Sequence, residues 1–260
     1  MVHKLKDTGR ARHIFGAWEE TIIWSCLQGI MGHIYADDEQ CPHSAAAMLG
    51  DFAFFAGRPA RELILHKPED CPKDFIIMVP ENDAWGRMIE DCWKEKARKV
   101  SRYAMKKEPW IFDKEHIDRE WLGRLRDALP GGYELKLIDE DIYRQCRERE
   151  WSLDLVSQYK DYEIYERLGL GVAVVKDGKV VSGASSYSSY AGGIEIEIDT
   201  HEPHRRMGLA AACGAGLILE CHRRGLYPSW DAQNKWSVAL AEKLGYHYSH
   251  EYPAYEIWGY

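Results

Sequence analysis

The pattern of apolar and polar residues is clearest at residues 194–199, where isoleucine and an acidic residue alternate strictly. A period of two predicts a strand with the isoleucines on one face and the carboxylates on the other. The next apolar segment, residues 205–224, is rich in leucine, alanine and isoleucine, and Gly225 follows it in the position of a helix C-cap. The pattern therefore predicts a strand that leads into a long helix.

The rest of the second half shows further strand and helix patterns. Asp177-Gly178 separates two apolar segments and is a strong hairpin signal, and Asp139 is a suitable N-cap for the helix after it. The other predicted strands are residues 133–137, 171–175, 179–185 and 226–230, and residues 246–258 supply one or two final strands. The other predicted helices are residues 139–149, with further helical sequence to 168, and 234–244. This order predicts an α/β (α+β) fold with a mixed sheet flanked by helices.

The sequence Leu-Pro-Gly-Gly at residues 129–132 ends a charged helical stretch and predicts a domain boundary, with residues 1–128 as one domain and residues 129–260 as the other. In the first domain we predict strands at residues 32–37, 75–79 and 100–105 and helices at residues 44–55 and 84–97. This order of elements repeats the order from residue 194 onward. The first domain is therefore predicted to be a smaller α+β unit that echoes the second.

Composition and charge narrow the function classes. The 260 residues include 42 acidic and 34 basic side chains, which give a formal net charge of -8. Nucleic acids and anionic membranes attract positive surfaces, so this charge argues against both partners and favours a cationic or amine ligand. The seven cysteines include no Cys-x-x-Cys pair, and no apolar run approaches the roughly 18 residues of a membrane span. We expect reduced thiols and a cytoplasmic protein.

The start of the long helix carries the strongest chemical signal. A helix start offers unpaired N–H groups and the positive end of the helix dipole, which bind phosphate when no side chain blocks the approach. Gly208 and Ala210 keep that approach open, while Arg205 and Arg206 add positive charge. The sequence Arg205-x-x-Gly208-x-Ala210 resembles the pyrophosphate-binding motif Arg/Gln-x-x-Gly-x-Gly/Ala of the GNAT superfamily of acetyl-CoA-dependent N-acyltransferases.

A second segment, residues 234–246, resembles the other cofactor segment of that superfamily, Asn-x-x-Ser/Ala-x-x-Leu-Tyr-x-Lys-x-Gly-Phe/Tyr. The resemblance runs from residue 133 to residue 260. It implies a mostly antiparallel GNAT-type sheet with acetyl-CoA (CoA) as cofactor, and it suggests that the first domain is a degenerate GNAT-like unit. By the resemblance, the residues expected to contact the cofactor are Ile198, Asp199, Thr200, Arg205, Arg206, Met207, Gly208, Leu209, Ala210, Asn234 and Ser237.

One position departs from the family pattern. Many members use a tyrosine to protonate the leaving thiolate, and that position is Ala241 in this chain. Either a nearby tyrosine takes over the role or the thiolate leaves without a specific proton donor. The tyrosines that we consider for this role are Tyr187, Tyr190 and Tyr227.

Attack by an amine requires a group that removes its proton. We favour Glu197 as this base, with Glu195 and Asp199 as alternates. Three carboxylates crowded on one strand face raise the pKa of at least one of them and attract a cationic amine. A solvated sheet face would explain the same pattern without catalysis. We predict no metal site.

These features predict an acetyl-CoA-dependent N-acetyltransferase that acts on the primary amine of a small molecule by direct transfer in a ternary complex. Two alternatives stay open. One is acylation of protein or peptide amines, and the other is a non-catalytic CoA-binding sensor, which the alanine at position 241 permits. We expect neither nucleic acid nor membrane as a partner, and we expect the first domain to form one wall of the acceptor site or a homodimer surface.

Overall fold

A computed structural model describes residues 1–69, 71, 74–109 and 118–260 of the chain. The chain forms two compact units, which are residues 1–102 with 251–260 (unit 1) and residues 103–250 (unit 2). The predicted boundary at residues 129–132 lies inside unit 2, because the helix before it buries Leu122 and Leu125 in the core of that unit. No helix within the described ranges is long and apolar enough to cross a membrane.

Unit 1 contains a sheet whose first five strands are neighbours in chain order. The strands are β1 (His3–Lys4), β2 (His33–Ala36), β3 (Ser44–Leu49), β4 (Phe52–Gly57), β5 (Phe75–Pro80) and β6 (Ala97–Met105), the last of which continues into unit 2. The helices are α1 (Arg12–Phe15), α2 (Thr21–Gln28), α3 (Arg61–Ile64) and α4 (Asp83–Trp93), with 3₁₀ turns at Thr8–Ala11 and Lys94–Lys96. Neighbouring strands are antiparallel from β1 to β4, whereas β4 and β5 are parallel.

Unit 2 contains a five-stranded sheet and most of the helices. The strands of this sheet are β7 (Tyr133–Leu137), β8 (Gly171–Lys176), β9 (Lys179–Tyr190), β10 (Gly193–Thr200) and β11 (Tyr227–Ser229). The unit also contains β12 (Asp231–Ala232) and the start of β13 (Tyr248–Trp258). Its helices are α5 (Arg119–Asp127), α6 (Glu140–Arg147), α7 (Glu150–Leu153), α8 (Tyr162–Leu168), α9 (Leu209–Arg224) and α10 (Lys235–Lys243), with a 3₁₀ turn at Glu202–His204. The strands from β7 to β10 pair antiparallel in chain order, and β10 pairs with β11 in parallel.

The two units share one topology. In each unit four consecutive strands pair antiparallel, and the fourth strand then pairs in parallel with the fifth. One helix connects the fourth and fifth strands, and another follows the fifth. The predicted mixed, mostly antiparallel fold flanked by helices is therefore confirmed. The connecting helices differ in length, because α3 has 4 residues and α9 has 16.

The predicted helix at residues 44–55 is wrong, because this segment forms the β3–β4 hairpin. Gly50, at the turn, has a left-handed φ of 60°, which interrupts a helix. Nearly every residue of both strands is buried, so the segment shows no period that would distinguish a strand from a helix. The small, apolar residues 45–47 favour a helix locally, and tertiary pairing overrides that preference.

The helical prediction for residues 139–149, with further helical sequence to 168, is right in position. Asp139 does act as an N-cap, since its Oδ1 accepts a hydrogen bond from the amide of Ile142 (2.9 Å). The segment then divides into α6, α7 and α8. The predicted Asp177-Gly178 hairpin is confirmed, with positive φ at both residues (49° and 74°), as its turn type requires.

Helix α9 packs against the isoleucine face of β10. Ile194 and Ile196 of the strand lie in one apolar core with Leu209 and Cys213 of the helix. On another side of the helix, a Cβ atom at Gly214 would come within 2.6 Å of the Leu244 side chain, so glycine lets the end of α10 approach α9 closely. The strand and the helix thus share one apolar core.

An ion-pair cluster at the end of α9 is expected to stabilise this helix. Glu220 is 14% exposed and accepts hydrogen bonds from Arg223 and Arg224, which hold the pKa of its carboxyl down at about 2. Because the pKa is lower in the folded state, the cluster stabilises the fold above the unfolded pKa and loses this effect as the pH falls toward 2. We expect Glu220→Gln to lower the free energy of unfolding at pH 7 by about 1–2 kcal/mol, an amount reduced by the exposure of both arginines.

Urea denaturation across a pH series measures this effect. The difference between wild type and Glu220→Gln should shrink as the pH falls from about 5 to about 2. Glu140→Gln is the matched control, because the Glu140–Arg144 pair is exposed and its loss should cost less than about 0.5 kcal/mol. Equal effects of the two substitutions at pH 7 would contradict the assignment.

Candidate active site

The loop between β10 and α9 ends in an open helix N-terminus. Arg206 and Gly208 both have left-handed backbone conformations, with φ of 61° and 82°. Gly208 is the N-cap of α9, and a glycine has no side chain that could bond to the first amides of the helix. A Cβ atom at Gly208 would meet no heavy atom of the described chain within 4 Å. The helix start therefore fits a pyrophosphate group, which binds unpaired N–H groups and the positive end of a helix dipole.

The residues beside this cap differ in their contacts and in their exposure. Arg205 donates from Nε to the carbonyl oxygen of Thr200 (3.1 Å), and its Nη2 lies 3.8 Å from Oδ1 of Asp199. These contacts fasten the loop to the end of β10. Arg206 and Met207 are exposed, so Arg206 adds positive charge next to the helix start. Of the other predicted cofactor residues, Leu209 is buried and Ala210 is half-buried.

Strands β10 and β11 part halfway along β10. Their pairing begins at Gly193↔Tyr227 and ends at Glu195↔Ser229. The chain then leaves this sheet and forms β12, which pairs with β6. Residues 196–200 of β10 extend past β11, and no strand of the described ranges pairs with that edge. The edge contains Ile198, Asp199 and Thr200, which the sequence predicts as cofactor contacts.

The three predicted carboxylates of β10 differ in burial. Glu195 is 7% exposed, whereas Glu197 and Asp199 are half-buried. Burial raises the pKa of the Asp199 carboxyl, against the opposing effects of a hydrogen bond from the Thr200 amide (2.6 Å) and the positive charge of Arg205. Asp199 is thus tied to the loop beside it. Glu195 lies at the point where β10 and β11 part.

Two of the tyrosines considered as proton donors flank a single glycine. Strand pairing places Tyr190 of β9 and Tyr227 of β11 on either side of Gly193, two residues from Glu195. Burial and the nearby Glu195 carboxylate raise the pKa of the Tyr190 phenol, so this group stays protonated at neutral pH. The third tyrosine, Tyr187, is buried where the pairing of β9 with β10 shifts by one residue.

The second predicted cofactor segment has structural roles in this fold. Oδ1 of Asn234 accepts a hydrogen bond from the amide of Ser237 (3.0 Å), which makes Asn234 the N-cap of α10. Oγ of Ser237 accepts a hydrogen bond from the indole of Trp230 (3.1 Å). Ala241 is fully buried in the core of unit 2. The contacts of Asn234 and Ser237 fix the segment that follows the parted strands.

A comparison with protein families decides the class of this protein. The family model of the GNAT acetyltransferases matches residues 12–255, which include most of both units. The chain belongs to this family. Membership makes the protein an acetyltransferase by class, and it agrees with the pyrophosphate motif and the sheet described above.

Individual GNAT proteins resemble the chain over nearly its whole length. The crystal structure of a GCN5-related N-acetyltransferase-like protein from Streptococcus suis 89/1591 has 48% sequence identity and a TM-score of 0.89, and the match covers 97% of this chain and 98% of that one. The uncharacterized N-acetyltransferase YdfB of Bacillus subtilis is 30% identical over 252 residues, which are 90% of this chain and 89% of that protein. A GCN5-related N-acetyltransferase from Sphaerobacter thermophilus, at 11% identity and a TM-score of 0.53, shares the fold.

The sequence interpretation missed two residues beside Glu195. Ser188 and Ser229 lie directly opposite Glu195 on the neighbouring strands, and both are fully buried. The signal that could have found Ser188 is the composition of residues 185–189, where four serines occupy a central strand that favours apolar and β-branched residues. Ser229 gives no comparable signal in the sequence.

Proposed function

We propose that unit 2 of this GNAT protein transfers acetyl from acetyl-CoA to the primary amine of a small molecule, by direct attack in a ternary complex. The observation that supports the proposal most is the open N-terminus of α9 directly after a strand whose edge is also open. The pyrophosphate of acetyl-CoA would bind the helix start, and its extended pantetheine chain would pair with the open strand edge next to it.

In this proposal the residues of the loop and strand bind successive parts of the cofactor. The amides of residues 206–210 hold the pyrophosphate, with Arg206 adding charge. The backbone of Ile198, Asp199 and Thr200 accepts the pantetheine, which adds to the sheet where β11 has ended. Bound acetyl-CoA supplies the acetyl group and leaves as the CoA thiol. The thioester would then lie near the parting of the strands, beside Glu195.

We assign the base to Glu195 rather than to Glu197, which the sequence pattern favours. Glu195 lies at the last hydrogen-bonded pair of β10 and β11, and it is the most buried of the three carboxylates. A buried base is shielded from competing water, and its carboxylate can accept a proton from a bound ammonium. Tyr190 and Tyr227 lie opposite Gly193, which is two residues from Glu195 along β10. Either phenol is a candidate to protonate the departing thiolate in place of a tyrosine at position 241.

A panel of amines tests the function. Release of CoA thiol from acetyl-CoA would be followed with polyamines, amino sugars, amino acids and short peptides as acceptors, and products would be confirmed by mass spectrometry. We expect acetylation of small primary amines at a rate well above hydrolysis. Preferred acetylation of peptides would favour protein acylation instead. Tight acetyl-CoA binding without turnover on any amine would favour the sensor alternative, which the buried Ala241 keeps open.

A further inference from the structure

Ser188 differs from the other buried serines of β9. The hydroxyls of four serines in this strand have hydrogen-bond partners: Ser182 with Thr200, Ser185 with Tyr165, Ser186 with Tyr159, and Ser189 with the carbonyl of Leu168. The hydroxyl of Ser188 is equally buried, and it has no hydrogen-bond partner within the described residues. A buried hydroxyl without a partner is unfavourable, so this group calls for a ligand or a water molecule.

Ser229 shows the same property on the other side of β10. Its hydroxyl is fully buried, with no hydrogen-bond partner in the part of the chain that the structure describes. Pairing places Ser188 and Ser229 directly opposite Glu195, one on each neighbouring strand. Directly opposed residues share a sheet face, so the three side chains form a row across β9, β10 and β11. This row, which we call the serine–glutamate row, lies where β10 and β11 part.

The chemistry of the row matches an ammonium group. Two hydroxyl oxygens and a carboxylate are hydrogen-bond acceptors, and a primary ammonium carries three N–H donors. We propose that the serine–glutamate row is the subsite for the primary amine of the acceptor, a step that rests on the proposed acetyl transfer. Glu195 takes one proton from the ammonium, and the hydroxyls of Ser188 and Ser229 hold the two remaining N–H bonds. The nitrogen lone pair is then free to form the new N–C bond as the C–S bond breaks. The phenol of Tyr190 or Tyr227 gives its proton to the thiolate, and the second proton of the nitrogen replaces it on the phenolate.

This arrangement predicts a preference for primary over secondary amines. A secondary ammonium has only two N–H bonds, so it leaves one serine hydroxyl without a partner after Glu195 takes a proton. The probes are propylamine and N-methylpropylamine, each with saturating acetyl-CoA, and the readout is thiol release over a range of amine concentrations. For Ser188→Ala and Ser229→Ala we expect the KM for propylamine to rise about tenfold, with a smaller change in kcat and a reduced preference for the primary amine.

Ser189→Ala is the matched control. This serine is adjacent in β9 and buried, but its hydroxyl donates to the carbonyl of Leu168 (2.6 Å) and lies 3.1 Å from the hydroxyl of Tyr159. Its loss should lower the melting temperature and leave the KM for propylamine unchanged. Ser188→Ala and Ser229→Ala remove hydroxyls without such partners, so both should keep the wild-type melting temperature and the wild-type stabilisation by acetyl-CoA.

Each outcome decides between the proposals. If wild type acetylates propylamine and both serine variants keep its KM and its preference within about twofold, the subsite is wrong and the acetyl transfer stands. If wild type acetylates no amine, the proposed function and the subsite both fail. A rise in KM for Ser189→Ala equal to that for Ser188→Ala would show a general disturbance of β9 and would also overturn the subsite.

Discussion

Gly208→Trp is expected to abolish the stabilisation of this protein by acetyl-CoA. Gly208 is the N-cap of α9 and has open space where its side chain would be, so an indole there would cover the first amides of the helix. In wild type, acetyl-CoA at 100 times its Kd should stabilise the fold by about 2.7 kcal/mol, or roughly 5–10 °C in melting temperature for a chain of this size. The variant should show no shift at the same concentration.

Gly225→Trp separates the binding effect from a simple loss of stability. Gly225 is the C-cap of the same helix, it also has a left-handed conformation (φ of 69°), and it also has open space at its Cβ position. A non-glycine residue in this conformation costs about 1–2 kcal/mol, so both variants should melt below wild type without ligand. Only Gly208→Trp should lose the response to acetyl-CoA. A wild-type shift in the melting temperature of Gly208→Trp with acetyl-CoA would show that the cofactor does not bind at this helix start.

Local sequence determines much of the fold of unit 2. Strand β10 was predictable because one face packs on α9 and the other carries carboxylates, which leaves a strict period of two in residues 194–199. The hairpin at Asp177-Gly178 was predictable because its turn requires positive φ at both residues. The end of α9 was predictable for the same kind of reason, since Gly225 adopts the left-handed conformation of a helix C-cap.

Segments buried on both sides lack such a local signal. Strands β3 and β4 face packed residues on both surfaces, so nearly every position is apolar and the alternation disappears. The start of α9 was placed four residues too early, because Arg205 to Met207 are acceptable helix residues. Their actual conformation depends on the left-handed backbone at Arg206 and on the contacts of Arg205 with the end of β10.

Only part of the candidate site could be predicted from the sequence. The helix start was readable as a motif, since its function depends on consecutive residues. The row of Ser188, Glu195 and Ser229 was not, because strand pairing brings together residues that are far apart in the chain. Asn234 and Ser237 match the family motif, and the structure shows that both also stabilise the start of α10.

Unit 1 has the same topology, but its described residues show neither of the two features that we assign to cofactor binding in unit 2. Its fourth and fifth strands, β4 and β5, remain paired to the last residue of β5, Pro80, and the connecting helix α3 is a single turn. The aromatic rings of Phe55 and Trp85 are fully buried at this position of the sheet, and the Trp85 indole donates to the carbonyl of Gly57 (3.0 Å). The parted strands and the long helix with an open start are thus features of unit 2, which supports placing the cofactor there.

Glu195→Gln is expected to lower kcat/KM for amine acetylation by about 10²- to 10⁴-fold, the usual contribution of a general base. The amide is nearly isosteric with the carboxylate and accepts no proton from the ammonium. Acetyl-CoA binding should be retained, because Glu195 belongs to the paired part of β10 and is not among the residues expected to contact the cofactor. Thiol release gives the rate, and the thermal shift with acetyl-CoA shows that the cofactor still binds.

Glu197→Gln is the comparison that decides between the two assignments. Glu197 lies on the same face of β10 but is less buried, and Ser185, the residue opposite it, bonds to Tyr165. If Glu195 is the base, Glu197→Gln should lower kcat/KM by less than about tenfold. Wild type and Glu197→Gln should also share one pH profile of kcat/KM, whereas the profile of Glu195→Gln should follow the ionisation of the amine alone. A large loss in Glu197→Gln with a small loss in Glu195→Gln would restore the assignment that the sequence pattern favours, and it would move the acceptor nitrogen two residues along the strand, away from Ser188 and Ser229.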